Sequence, residues 1–502
     1  MASSSSSSSL FLLYYYHILC FSLTIVFSVS ESSLVLLPLT HSLSKTQPNT
    51  TTTHHLLKST TSRSAARFRF RRHHHQHQQQ QRQVSLPLSP GSDYTLSLTL
   101  ATSPPQPVSV YMDTGSDLVW FPCSPFECIL CEGKSNPSST LPPPKLPPNS
   151  TLSCSSPACS AAHSSHSSSD LCAIARCPLD SIETSDCSNY TCPPFYYAYA
   201  DGSLVARLLK HSLSVTPSLL LNDFTFGCAH TALGEPIGVA GFGRGLLSMP
   251  AQLAALSPQL GQHFSYCLVS HSFDSERVKK PSPLILGRQE KRVEREERAG
   301  FVYTAMIDNP KHPYFYSVGL VGISVGKRNI PAPEFLRRVD RRGGGGMVVD
   351  SGTTFTMLPA GFYDSVVAEF DRRVGRVHER ATEIEDKTGL TPCYYYDDKK
   401  AIVVPTLTLH FVGSGNENTT SGVVLPRRNY FYEFMDGDDG KKRKVGCLMM
   451  MNGGDEEELS GGPGATLGNY QQQGFEVAYD LENRRVGFAK RQCSSLWDSL
   501  NR

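Results

Sequence analysis

The chain has 502 residues, more than one small hydrophobic core accommodates, so two or three lobes are expected once any leader is set aside. Formal net charge is +2 but unevenly spread: residues 31–90 hold eight Lys or Arg against one acid, Glu31, which leaves about −5 on residues 91–502. A mildly acidic body behind a basic leader argues against nucleic-acid binding by the body, and it suits a leader that lies against an acidic cleft.

Residues 10–29, LFLLYYYHILCFSLTIVFSV, are apolar and uncharged, and small residues follow around Ser28 and Ser30. A secretory signal peptide over residues 1–30 is the leading reading, with an extracellular or cell-wall destination. No Lys or Arg precedes the run, and it is long, so an uncleaved membrane anchor is the rival. The Ser- and Arg-rich stretch behind it keeps a chloroplast destination open, and a vacuolar one is a further alternative. Residues 31–91 read as a basic low-complexity leader or propeptide. Within them TQPNTTTTHH and RRHHHQHQQQQRQ cannot form a packed core, so this part is expected to be disordered or removed. The histidine run reads as a solvated polar tract and not as a metal site.

From about residue 92 the pattern changes. YTLSLTLA alternates as a half-buried strand does, SPPQP makes a turn, and VSVYMDTGS runs as a strand into a glycine turn. Helical patterns are scarce: SMPAQLAAL at 248–256 and AGFYDSVVAEFDRR at 360–373. Most of the rest is short β-branched and aromatic runs broken by Gly, Pro, Asn and Asp, which predicts an all-β body.

An internal repeat organises that body. Val110-Tyr111-Met112-Asp113-Thr114-Gly115-Ser116 is echoed by Met347-Val348-Val349-Asp350-Ser351-Gly352-Thr353. A second echo follows each copy: Val239-Ala240-Gly241 lies 128 residues after Asp113, and Thr466-Leu467-Gly468 lies 118 after Asp350. Two related β-lobes, each bringing one carboxylate to a shared cleft, explain both echoes. The expected boundaries are an N-terminal lobe at 92–285, a charged linker at 286–299, a C-terminal lobe at 300–495 and a tail at 496–502.

One D-T-G-S alone is a common surface turn. Two copies, each after an apolar strand, point to paired-carboxylate chemistry. Carboxylates held close together cannot both ionise easily, so one keeps a proton while the other stays charged. The charged member takes a proton from water and the neutral one gives a proton to a substrate carbonyl. Gly115 and Gly352 allow close backbone approach. Ser116 and Thr353 are expected to donate hydrogen bonds to the outer carboxylate oxygens.

Of 15 cysteines, Cys20 lies in the apolar leader. The other 14 are Cys123, Cys128, Cys131, Cys154, Cys159, Cys172, Cys177, Cys187, Cys192, Cys228, Cys267, Cys393, Cys447 and Cys493. An even number, nine of it between Cys123 and Cys192, fits a disulfide framework whose pairing the sequence leaves open. Cys128 and Cys131 form one C-x-x-C, with no second pair at zinc spacing, so no metal is expected. Sequons at Asn149, Asn189 and Asn418 offer glycan sites on a secreted surface.

VYMDTGSDLVW and VVDSGTTFTMLP resemble the two active-site motifs of pepsin-type aspartic proteases. GVAGFGRGLLSMPAQL, HFSYCL and TLGNYQQQGFEVAYDLENRRVGFA resemble the plant nepenthesin-like branch. The resemblance spans about residues 92–495. It implies a bilobal pepsin-like fold and an endopeptidase acting at acidic pH through water held between Asp113 and Asp350, with Thr114 and Ser351 in the supporting loops. It also implies polypeptide substrates, no cofactor and a monomer. A β-hairpin flap carrying Tyr199 is implied too, its turn at Asp201-Gly202, with Trp120 behind it. Ala200 stands where the family usually has glycine, and Ala101-Thr102-Ser103 replaces Gly-Thr-Pro. The cysteine-rich insertion resembles the nepenthesin-type one but is unusually rich in serine. Pairing of a basic segment such as Arg67 to Arg72 with the two aspartates is expected to hold a zymogen at neutral pH. The alternative on the same fold is a catalytically silent binding or inhibitor protein, against which the intact motifs speak.

Overall fold

The computed structural model describes residues 34–41, 53–73, 94–131, 143–146, 150–164, 166–199, 202–270, 281–287, 300–397, 401–415, 419–437, 443–455 and 462–500. The chain is mostly β, as the sequence predicts. The strand Tyr94–Leu100 pairs antiparallel with Gln106–Asp113, from Thr95 opposite Tyr111 to Leu100 opposite Gln106. Gln106–Asp113 then pairs in parallel with Gly238–Gly241, which sets Asp113 beside Gly241. The strand Val119–Ile129 runs antiparallel to Gly238–Gly241 and parallel to Leu219–Leu233.

The second half of the body repeats this arrangement. Gly345–Val349 pairs in parallel with Pro463–Leu467, setting Val349 beside Leu467. Thr356–Leu358 crosses back antiparallel at Met357 and Thr466. The two echoes in the sequence are therefore one structural unit used twice: a strand ending in Asp, laid against a short strand ending near Gly.

A six-stranded antiparallel sheet joins the lobes. Its order is Val35–His41, Ser282–Leu286, His263–Cys267, Phe475–Asp480, Arg485–Lys490 and Phe301–Ile307. Aromatic rings fill the seam: Phe264 stacks on Tyr479 with centroids 4.6 Å apart, and the Tyr266 and Tyr479 hydroxyls share a 2.9 Å hydrogen bond. Both expected helices form. Met249–Leu256 is capped by Ser248, whose side chain accepts from the Ala251 N–H. Ala360–Val374 buries Phe362, Tyr363, Val366, Phe370 and Val374 at helical spacing.

The leader departs from the expectation of disorder. Val35–His41 is a strand of the shared sheet, and Thr53–His73 is a 21-residue helix. Its composition is indeed too polar to build its own core. It needs none, because Leu57 and Phe68 pack into an apolar surface that the C-terminal lobe supplies, with Phe355, Met357, Ile384, Leu390 and Met451. The Thr61 hydroxyl donates to the Thr388 carbonyl at 2.9 Å, Lys58 Nζ donates to the Asp386 carbonyl at 3.1 Å, and His54 pairs with Asp436 at 3.0 Å. The apolar run at 10–29, the polar tract at 74–93 and most of the charged linker lie outside the described residues. Among the described residues no helix is long and apolar enough to cross a membrane.

Six disulfides form: Cys123–Cys228, Cys128–Cys131, Cys154–Cys187, Cys159–Cys192, Cys267–Cys493 and Cys393–Cys447. Cys172 and Cys177 are buried thiols. The expectation that every body cysteine is bonded therefore departs from the structure at these two.

Candidate active site

Each motif strand ends at an aspartate because its neighbour takes over the backbone pairing. The Asp113 carbonyl accepts from the Phe242 N–H at 2.7 Å, and the Asp350 N–H donates to the Leu467 carbonyl at 3.1 Å. The following glycines turn back on the carboxylates. The Gly115 N–H donates to Asp113 Oδ1 at 2.9 Å and the Gly352 N–H to Asp350 Oδ1 at 3.0 Å. Gly352 is needed for closeness: a Cβ there would lie 2.4 Å from Asp113 Oδ1. The two loops therefore touch, and both aspartates are buried, Asp113 at 2% and Asp350 at 0% exposure.

Thr114 and Ser351 interlock the lobes reciprocally. The Thr114 N–H donates to Ser351 Oγ at 3.0 Å, and the Ser351 N–H to Thr114 Oγ1 at 2.8 Å. Thr114 Oγ1 donates across to the Val349 carbonyl at 3.1 Å, and Ser351 Oγ to the Met112 carbonyl at 3.2 Å. Each hydroxyl thus accepts from one lobe and donates to the other strand, with no water to replace it. Ser351→Ala removes two of these bonds and leaves a buried N–H and carbonyl unpaired. It is expected to cost about 2–4 kcal/mol, read as a lowered urea midpoint at unchanged m.

Thr353 donates from Oγ1 to Asp350 Oδ2, as expected. Ser116 does not mirror it: its Oγ is buried without a hydrogen bond. The outer oxygen of Asp113, Oδ2, is held instead by the guanidinium of Arg67, whose Nε also lies 3.6 Å from Asp350 Oδ2. A single cation from the leader helix, 14% exposed at its side chain, thus sits against both carboxylates. The sequence pointed to the basic segment from Arg67 to Arg72, and the helix selects its first member.

Three supporting residues escaped the sequence reading. Gln472 Nε2 donates to the Asp350 and Leu467 carbonyls at 3.2 and 2.8 Å, and Asn469 Nδ2 donates to the Ser351 carbonyl at 2.9 Å. Both belong to the segment TLGNYQQQ, which entered the sequence reading through resemblance alone. The third is Asp117, which accepts from the Gly245 N–H at 2.7 Å and from the Leu247 N–H, and whose burial pushes its pKa up to about 6. Close packing explains that burial, since a Cβ on Gly245 would meet the Asp117 carboxylate.

The strand Phe195–Tyr199 pairs with Gly202–Thr216, setting Tyr199 opposite Gly202. The hairpin connection therefore falls at 200–201, one residue before the expected Asp201-Gly202. Residues 200–201 and the Tyr199 side chain lie outside the described residues. Gly202 is a strand residue whose missing side chain makes room for the Leu233 carbonyl, 2.4 Å from where a Cβ would stand. Trp120 is fully buried in a cluster with Tyr111, Phe195 and Leu204, so it packs under the base of that hairpin. Asn189 is exposed, whereas Asn149 and Asn418 lie outside the described residues. Cys159, His163 and Cys192 bring three donor atoms within 4.8 Å of one another, but both sulfurs are spent in one disulfide.

Fold and loops define the class: two related β-lobes on a shared sheet, each presenting an Asp-Ser/Thr-Gly loop to the other. Residues 94–288 match the family model described as xylanase inhibitor N-terminal, and residues 315–490 match xylanase inhibitor C-terminal. A protein of Arabidopsis thaliana named a probable aspartyl protease is 64% identical over 94% of this chain and 96% of its own length. The aspartic proteinase nepenthesin-1 of Nepenthes gracilis is 31% identical over 80% of this chain and 78% of its own. The solved structure of basic 7S globulin from soybean superposes with a TM-score of 0.59 at 17% identity, over 92% of this chain and 99% of that one. The chain belongs to the pepsin-type aspartic protease family, in the plant branch that includes the nepenthesins.

Proposed function

We propose that the protein is an aspartic-type endopeptidase that hydrolyses polypeptides at acidic pH, with Asp113 and Asp350 as the catalytic pair. The observation that carries this reading is the reciprocal lock of Thr114 and Ser351, which fixes two buried carboxylates against each other at the meeting point of the lobes. Held there, the pair shares one proton. The ionised member draws a proton from water, and the water oxygen attacks the scissile carbonyl. The neutral member protonates the carbonyl oxygen as it becomes tetrahedral. The N–H groups of Gly115 and Gly352 keep the inner oxygens in place throughout.

The leader is part of this proposal. With Arg67 between the carboxylates, neither is free to hold water, so the chain as synthesised is a secreted, monomeric zymogen. Acid protonates the pair and removes the charge that Arg67 neutralises. The helix then loses its charge contact and the leader is released.

The test is cleavage of a denatured protein substrate at acidic pH by the full chain after acid incubation, with and without pepstatin, beside Asp113→Asn. Expected is pepstatin-sensitive activity that the variant lacks by on the order of 10⁴-fold or more. Folded wild-type protein with its leader released and no activity would replace the proposal with a binding protein on this fold.

A further inference from the structure

The helix Ser168–Ile174 in the cysteine-rich insertion ends in a turn with a definite hydrogen-bond signature. The Cys177 N–H donates to the Cys172 carbonyl at 3.0 Å, and the Arg176 N–H donates to the Ala173 carbonyl at 3.0 Å. Between them Arg176 adopts a left-handed backbone, φ 58°. A bond from the sixth residue back to the first, enclosing one from the fifth to the second, is the Schellman termination of an α-helix. Its geometry brings the side chains of the first and sixth residues together, and an apolar contact normally joins them there. Here both of those residues are cysteines, Cys172 and Cys177.

The surroundings fit a bond between them. Cys172 is 0% and Cys177 is 7% exposed, in one cluster with Cys154, Cys159, Cys187 and Cys192. Those four are already paired, as Cys154–Cys187 and Cys159–Cys192. The Cys172 thiol lies within hydrogen-bonding reach of the Cys177 thiol. The left-handed position usually falls to glycine, because a side chain there is strained. An arginine at that position leaves the turn in need of an added restraint, and a covalent link between its two ends supplies one.

We propose that Cys172 and Cys177 form a seventh disulfide, which fastens the end of this helix inside the insertion. The bond forms by thiol–disulfide exchange with a disulfide-bearing oxidant, the class of reagent that also closes the other six. One cysteine, as thiolate, attacks the oxidant's disulfide and forms a mixed disulfide, releasing one of the oxidant's sulfurs. The second cysteine then displaces the other sulfur. The oxidant leaves as a dithiol that carries the two electrons and the two protons. The proposal is independent of proteolysis, since nothing in it involves the paired aspartates.

The test uses the full chain as secreted by a eukaryotic host. The protein is denatured without reductant in excess iodoacetamide, digested and weighed before and after reduction. Expected is no carbamidomethyl on Cys172 or Cys177, and a peptide spanning both that gains two hydrogens only on reduction. Carbamidomethyl on both residues, in protein whose other six bonds are closed, would overturn the proposal. So would either residue linked to any other cysteine. The measurement is made on the wild-type chain, so no substituted protein has to fold for it to decide.

Discussion

Arg67→Ala is expected to shorten the lag before acid activity at least about tenfold and to raise the pH at which the leader is released. Arg67 is the group that sits against both buried carboxylates. Removing one partner of a buried ion pair costs about 3–5 kcal/mol, most of it from the charges left behind. Without the guanidinium, two adjacent carboxylates repel, so one takes up a proton at higher pH than before. The far end of the helix responds to acid in the same direction. Burial holds the His54 pKa below its usual value of 6.5, partly countered by Asp436. A histidine whose pKa is depressed by docking favours the docked state above its free pKa. That contribution is lost as pH falls through the depressed value.

Two readouts keep this prediction separate from the proposed activity. Amide hydrogen exchange at neutral pH should quicken along Thr53–His73 in the variant, while the body strands stay protected. The acid-activity lag should shorten in parallel. Arg67→Lys, which keeps one cation but not the two-sided reach of a guanidinium, is expected to fall between wild type and Ala. Equal helix protection in Arg67→Ala and wild type would mean that the leader is held by Leu57, Phe68 and Thr61, with the ion pair contributing nothing.

Asp117→Asn is expected to remove a pH dependence of stability that wild type carries next to its paired aspartates. Burial raises the Asp117 pKa from 3.8 to about 6, against two backbone N–H bonds that pull it down. A carboxyl whose folded pKa exceeds its unfolded value stabilises the protein fully below pH 3.8, and that contribution is lost as pH rises through about 6. A rise of that size corresponds to about 3 kcal/mol at full burial. Asp117 keeps some exposure, so about 2 kcal/mol is the better expectation. Asparagine accepts from the Gly245 N–H but not from a second donor through its amide nitrogen, which adds a constant offset at all pH values. The quantity to measure is the wild-type-minus-variant stability by urea unfolding, from about pH 3.5 to about pH 7. It should slope downward by about 2 kcal/mol across that range, and a flat difference would remove Asp117 as its source. The sign makes the protein more robust in acid than at neutral pH, which suits the activity proposed.

The repeat around Asp113 and Asp350 was legible because it is local. A strand that ends in Asp, a small hydroxyl and Gly carries its own turn and its own short hydrogen bonds, and two copies imply two lobes. The helices at 248–256 and 360–373 were legible for the same reason, each from the period of its apolar residues. The partners of those segments were not. Thr114 finds Ser351 across 237 residues, and Cys267 finds Cys493 across 226. No short-range pattern encodes such pairings, because each depends on surfaces that other segments build.

The leader shows the difference most clearly. By composition alone Thr53–His73 has too few apolar residues to fold, and that inference about its own core is correct. Tertiary structure supplies the missing half, a distant C-terminal-lobe surface that accepts Leu57 and Phe68. The same docking decides which arginine meets the carboxylates, and why Ser116 lacks the hydrogen bond that Thr353 makes. The sequence by itself determined which residues carry the chemistry, since residue type and turn geometry are written locally. Tertiary structure decided what those residues touch, because burial and ion pairing belong to the assembled surfaces and to no single segment.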